Sequence, residues 1–253
     1  MTGDCYFTSF PTWRFIPPIV ASGHTQMAID RWLLEKHRRG KHPPTLRFYT
    51  WYPAAISLGY HQKNYPLAWQ KLIWKQPLDI VRRPTGGKAV LHQGDLTYAV
   101  VTSTPPGKRL EIYKQICRFL IAGWRSLGVE LSYGNATKEY MANPNCFSTA
   151  TVADLVTTTG EKAIGSAQLR RGKAILQHGS ILLSTDKNLA IKIFNQPVGK
   201  NLLELIPHRG DRSIDKIIEH LTKAASDCWE IELVEQALSD AEWQEIKNSY
   251  SHS

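Results

Sequence analysis

Between Leu78 and Ser103 the chain reads LDIVRRPTGGKAVLHQGDLTYAVVTS. Three strand-like runs, LDIVRR, KAVLH and LTYAVVTS, follow one another with only turn-forming residues between them. ATVADLVTTTGEKAIGSAQLRRGKAILQHGSILLS reads as a hairpin and then another strand pair. Other strands, in TLRFYTWYPAAISLGYHQ around Pro53, are set apart by helical segments and need longer crossovers. A sheet built from both kinds of connection is mixed rather than all parallel.

The helical segments announce themselves by periodicity. SGHTQMAIDRWLLEKHRRG puts Met27, Ile29, Leu33 and Leu34 on roughly one face, fills its last turn with Lys and Arg, and stops at Gly40. LEIYKQICRFLIAGWRSLG repeats apolar residues at helical spacing from Leu110 to Trp124 and carries Cys117 among them. A short helix is expected near Leu67–Ile73. Beyond Ser184 the segments NLAIKIFNQ, SIDKIIEHLTKAASDCW and SDAEWQEIKNSY read as helices. No linker or repeat divides the chain, so residues 1–253 are expected to form a single α/β (α+β) domain. Its sheet is expected to be mixed and flanked by helices, with a helical tail over 186–253.

No apolar run approaches the ~18 residues of a membrane span. The N-terminus lacks a basic leader and is broken by Pro11, Pro17 and Pro18. The expected compartment is therefore cytoplasmic, where thiols stay reduced. The four cysteines, Cys5, Cys117, Cys146 and Cys228, show no metal-site spacing, and bridges are not expected. Cys117 and Cys228 read as core packing. Cys146, after the turn-forming Asn143, Pro144 and Asn145, is either a small buried hydrophobe or a nucleophile, and the residues alone leave both open.

The net charge of +9 calls for an acidic partner. No zinc finger, basic zipper or aromatic RNA-binding signature accompanies it, which leaves acidic proteins as an equal match and a merely solvated basic surface as the third reading. Two glycine-bearing segments compete for a ligand role. GEKAIGS has Ser166 where a phosphate loop needs Lys, so a Walker site is excluded. In RRPTGGKAVLH, Gly86 and Gly87 either make a tight turn or let backbone lie against a ligand.

The segment RRPTGGKAVLHQGDLTY resembles the signature of the lipoate/octanoate branch of the biotin/lipoate protein ligase superfamily. WRFI, QMAIDRWLLE, LRFYTWYPAAISLGYHQ and GEKAIGSAQLRRGKAILQHGSILL agree in order, over about residues 13–185. The resemblance implies a largely antiparallel sheet flanked by helices. It also implies an acyl pocket formed by Arg82, Arg83, Thr85, Gly86, Gly87, Val90, His92, Gly165, Ser166 and Ala167. NPNCFSTATVADLV is similar to the cysteine-dependent octanoyltransferases of the family, which makes Cys146 the expected nucleophile and Lys162 its electrostatic partner. Lys88 stands where those transferases more often show Arg.

The implied activity is an acyltransferase of protein lipoylation. It moves octanoate from acyl carrier protein to a lysine of lipoyl-domain proteins such as the glycine-cleavage H protein. No metal, cofactor, nucleic acid or membrane is expected. The alternatives are an ATP-dependent lipoate–protein ligase, which would need ATP and Mg, and a non-catalytic protein retaining the lipoyl pocket. His92 and His178 are candidate bases, set against ordinary hydrogen-bonded strand histidines.

Overall fold

The computed structural model describes residues 10–104, 107–134, 154–196 and 198–250. Cys5 and Cys146 lie outside them. In chain order the elements begin with β1 (Thr12–Ala21), α1 (Gly23–Arg38), β2 (Thr45–Trp51), β3 (Ala55–Leu58), β4 (Ile73–Trp74) and β5 (Gln76–Pro77). There follow β6 (Asp79–Arg82), β7 (Val90–His92), β8 (Asp95–Ser103), α2 (Arg109–Ser126), β9 (Leu131–Tyr133) and β10 (Leu155–Thr157). The chain continues through β11 (Lys162–Arg171), β12 (Ala174–Leu182), α3 (Lys187–Phe194), α4 (Ile214–Trp229), β13 (Glu232–Glu235) and α5 (Asp240–Tyr250).

Among the described residues the main sheet has the order β13-β1-β2-β8-β12-β11-β10-β9. Only β13–β1 and β1–β2 run parallel; the other neighbours are antiparallel. The expected mixed, largely antiparallel sheet is present. Two expectations change. The segment after Ser184 is not purely helical, because Glu232–Glu235 runs parallel to β1 and extends the sheet. The helix expected at Leu67–Ile73 is a 3-10 turn over Leu67–Lys71, and Ile73 already belongs to β4.

Strand alternation separates two cores. Leu96, Tyr98 and Val100 of β8 pack with α2 and α4, in the layer that buries Cys117, Phe119 and Trp124. Ala99 and Val101 point the other way, onto α1 and α5, with Met27, Ile29, Leu33 and Ile246. Covered on both faces, β8 reads as a nearly continuous apolar run. Helix ends follow local chemistry. Ser22 caps α1, accepting from the Thr25 N–H, and Lys36, His37 and Arg38 occupy the last turn. Asp186 and Ser213 cap α3 and α4 in the same way.

A second sheet, β6-β3-β7, carries the arginine–glycine segment. Its apolar side packs on α3 through Ile56, Leu58, Leu91, Leu189 and Phe194. Its other side closes over the α1 face of the main sheet, and the cavity described next lies between the two.

Candidate active site

Register places the site. Across the main sheet Gly165 pairs with Ser180, Ser180 with Thr97, and Thr97 with Tyr49. One row along, Ala167, His178, Ala99 and Arg47 are similarly aligned. Residues opposite one another share a face, so both rows stand on the α1 side. Glycine and alanine leave space on β11 where larger side chains would fill it.

That space is a cavity of about 250 Å³, with Met27, Trp51, Val90 and Ala167 among its apolar lining. Of the residues expected at an acyl pocket, Arg83, Gly86, Gly87, Val90, His92, Gly165, Ser166 and Ala167 all line it. Thr85 is buried just behind, bonded to His178, which does line it. Arg82 stands apart. Its guanidinium holds the carbonyls of Gly59, Tyr60 and Gln62, and it faces a second cleft. Met27, Trp51, Thr97, Arg109, Asp154 and His178 are among the other lining residues, and of these the sequence had given a site role only to His178, as a candidate base.

The glycine loop is fixed from within. Buried Arg83 donates to the carbonyls of Ser57, Gly86 and Lys88 and to Ser57 Oγ. Gly87 has φ +97°, a region that L side chains avoid, and a Cβ there would lie 2.8 Å from Arg83 Nη2. At Gly86 a Cβ would meet no protein atom within 4 Å. Its lack of side chain therefore keeps the cavity open rather than permitting the backbone shape.

Two hydrogen-bonded arrays form the polar floor. In one, His92 Nε2 lies 2.8 Å from Ser57 Oγ and its Nδ1 lies 2.8 Å from Asp95 Oδ2. Thr97 and Ser180 also donate to Asp95. In the other, His178 joins Thr85 Oγ1 at 2.6 Å to Asp30 Oδ2 at 2.8 Å, and Tyr49 OH donates to Asp30. The Asp95 carboxylate can only accept, so His92 Nδ1 carries the hydrogen, and in the neutral ring Nε2 then accepts from the Ser57 hydroxyl. Burial pushes the His92 pKa down, against the pull of Asp95, so its neutral form is favoured. Trp51 stacks on it with ring centroids 3.9 Å apart. Both histidines are strand residues committed on each nitrogen.

Lys162 lies at the start of β11, and its Nζ is 2.9 Å from Asp154 Oδ2. Both side chains are nearly solvent-free. Asp154 lines the cavity, and Lys162 contacts the site through it. Cys117, the buried thiol in this region, accepts from the Gln177 amide. Burial pushes it up to about 12, far from a thiolate at neutral pH. Among the described residues no cluster of His, Cys, Asp and Glu could hold a metal ion, and no helix is long and apolar enough to cross a membrane.

The model of the lipoyl protein ligase A/B catalytic domain matches residues 22–241. The chain belongs to that family. Among curated relatives, it is 35% identical to octanoyltransferase LipM of Halalkalibacterium halodurans over 259 residues, covering 93% of this chain and 94% of the relative. It is 40% identical to octanoyltransferase LipM of Bacillus subtilis over 197 residues, covering 74% and 70%. Lipoate-protein ligase A bound with ATP shares the fold, with a TM-score of 0.79 at 21% identity over 95% and 94% of the two chains. A bipartite lipoate protein ligase from Thermoplasma acidophilum does so with a TM-score of 0.72 at 21% identity over 94% and 92%.

Proposed function

We propose that this protein is an octanoyltransferase of protein lipoylation. It moves an octanoyl group from acyl carrier protein to a lysine of lipoyl-domain proteins, through a thioester on Cys146. The observation that carries the reading is the 35% identity to an octanoyltransferase along nearly the whole of both chains. The ligases it resembles in shape are only 21% identical.

The cavity suits the chemistry. Its apolar wall accepts a medium-length acyl chain, and the small residues of β11 and the glycine loop leave it room. The Cys146 thiolate attacks the thioester carbonyl, and the carrier's pantetheine thiol leaves with the proton the cysteine gave up. The acceptor lysine, as a neutral amine, then attacks the new thioester. An amide forms, the amine proton passes to a base, and the Cys146 thiolate is released. The carrier thioester is already an activated acyl donor, so no ATP enters.

Incubation with octanoyl-carrier protein, without acceptor or ATP, should add one hydroxylamine-labile octanoyl group, read by mass spectrometry. Cys146→Ser should abolish it or leave a hydroxylamine-resistant ester, and Cys117→Ser should leave it intact. An adduct unchanged in Cys146→Ser, or transfer that requires ATP, rejects the reading.

A further inference from the structure

A second cleft, of about 320 Å³, is lined by residues of α1, the end of β6 and the end of β11, Arg31, Arg82 and Arg171 among them. Arg31 donates to the Arg82 carbonyl oxygen. Burial lowers the Arg31 pKa against Asp30, and the charge of Arg171 lowers it further. On the next residue of β11, Arg170 feels burial first and Arg109 second. Arg109 in turn donates to the Gln168 carbonyl, and both line the acyl cavity. At the other end, Arg82 directly precedes Arg83 of the cavity wall. Arg170 stands on the α2 face of β11 and Arg171 on the α1 face, so the strip that lines the cleft consists of Arg82, Arg31 and Arg171.

The acidic groups near this strip have other partners. Glu35 binds Arg38 and Arg39, Asp30 is buried with Tyr49 and His178, and Glu111 accepts from the Lys108 N–H.

We propose that the Arg82–Arg31–Arg171 strip is the docking surface for the acidic face of the carrier protein that delivers the octanoyl thioester. This rests on the octanoyltransferase reading above. Charge decides between donor and acceptor. The donor presents its thioester on an arm joined through an anionic phosphodiester, whereas the acceptor presents a cationic lysine to the same mouth. Positive charge at a rim acts on encounter and salt dependence more than on the chemical step.

The test compares two donors, octanoyl-carrier protein and the small neutral thioester octanoyl-pantetheine. Arg31→Glu with Arg171→Glu should raise KM for the carrier protein by ~10-fold or more at low salt, within the usual range of electrostatic steering. The rate with octanoyl-pantetheine should stay at the wild-type level, which also shows that the variant is folded. Arg31→Lys with Arg171→Lys should keep most carrier affinity. Added salt should raise KM in the wild type and barely move it in the double Glu variant. An unchanged carrier KM, an equal loss with both donors, or a rise confined to the KM for the lipoyl-domain acceptor would each overturn the proposal. A wild type that uses neither thioester without ATP would instead bring down the transferase reading, and this docking surface with it.

Discussion

Lys162 and Asp154 form an ion pair of 2.9 Å with side-chain exposures of 2% and 4%. An ammonium held this way is a fixed positive charge beside the cavity, not a free base. Removing one partner of a buried pair leaves the other charge uncompensated, at a typical cost of ~3–5 kcal/mol. Lys162→Ala should therefore lower both stability and acyl transfer. The double variant Lys162→Met with Asp154→Leu should recover most of the stability in urea unfolding. It should still acylate Cys146 ~10²–10³-fold more slowly, the usual scale for losing one transition-state partner. Recovery of activity together with stability would assign the pair a purely structural role.

The glycine loop separates space from backbone. A Cβ on Gly59 would come within 1.8 Å of the Gly87 carbonyl oxygen, so β3 and the loop touch backbone to backbone. Gly59→Ala must push them apart, and Gly87→Ala adds a side chain at positive φ, at ~1–2 kcal/mol. Gly86→Ala meets no atom within 4 Å but stands on the cavity wall. Thermal melts should rank Gly86→Ala nearest the wild type, with Gly59→Ala and Gly87→Ala below it. Octanoyl-transfer KM should nonetheless rise in Gly86→Ala.

The legible part of the site was the part written in consecutive residues. Arg83, Gly86, Gly87, Val90 and His92 come from one turn and strand, and Gly165, Ser166 and Ala167 from another. Arg82 shared the motif but turned to the carbonyls of residues 59–62, because neighbours in a strand face opposite sides. Asp30, Tyr49, Thr97, Asp154 and Ser180 lie in segments that match the family but had no site role read from them; α1, β2, β8, β12 and the residue before β10 bring them together. The strand at Glu232–Glu235 was hidden for a similar reason. Leu233 and Val234 stand between two glutamates in a run too short to read, and the parallel pairing with β1 makes it a strand.

Acid should loosen the fold by protonating buried histidines. Burial lowers the pKa of His92, and also those of His37 and His42, below the ordinary 6.5. The unfolded chain thus binds more protons than the folded one just below pH 6.5, so stability is full above that pH and declines as pH falls. Urea midpoints should be flat from pH 8 to 7 and drop between pH 6.5 and 5. His92→Asn should shrink that drop while lowering stability at pH 7.5 through the lost Asp95 and Ser57 contacts. An undiminished acid slope in His92→Asn would place the proton uptake elsewhere.

The C-terminal helix is fastened to the first strand by Arg14. This buried side chain donates to both carboxylate oxygens of Glu242 at 2.7 and 2.9 Å, and to the carbonyls of Gln236 and Ala237. Burial alone would raise the Glu242 pKa, but the Arg14 hydrogen bonds and charge and the Ser239 N–H bring it to about 2. Glu245, by contrast, is half-exposed, pairing with Lys36 and accepting from the Trp32 indole N–H, which a glutamine could still accept. The two acids on one helix therefore predict different outcomes. Glu242→Gln should cost ~1–3 kcal/mol, the range for leaving a charged buried donor without its ionic acceptor. Glu245→Gln should change stability by less than ~1 kcal/mol, as exposed pairs do. Hydrogen exchange should show the effect locally, with faster exchange in α5 and β13 of Glu242→Gln and protection retained in β8 and β12. Faster exchange across the whole sheet would mean that the latch is part of the global core rather than a local fastening.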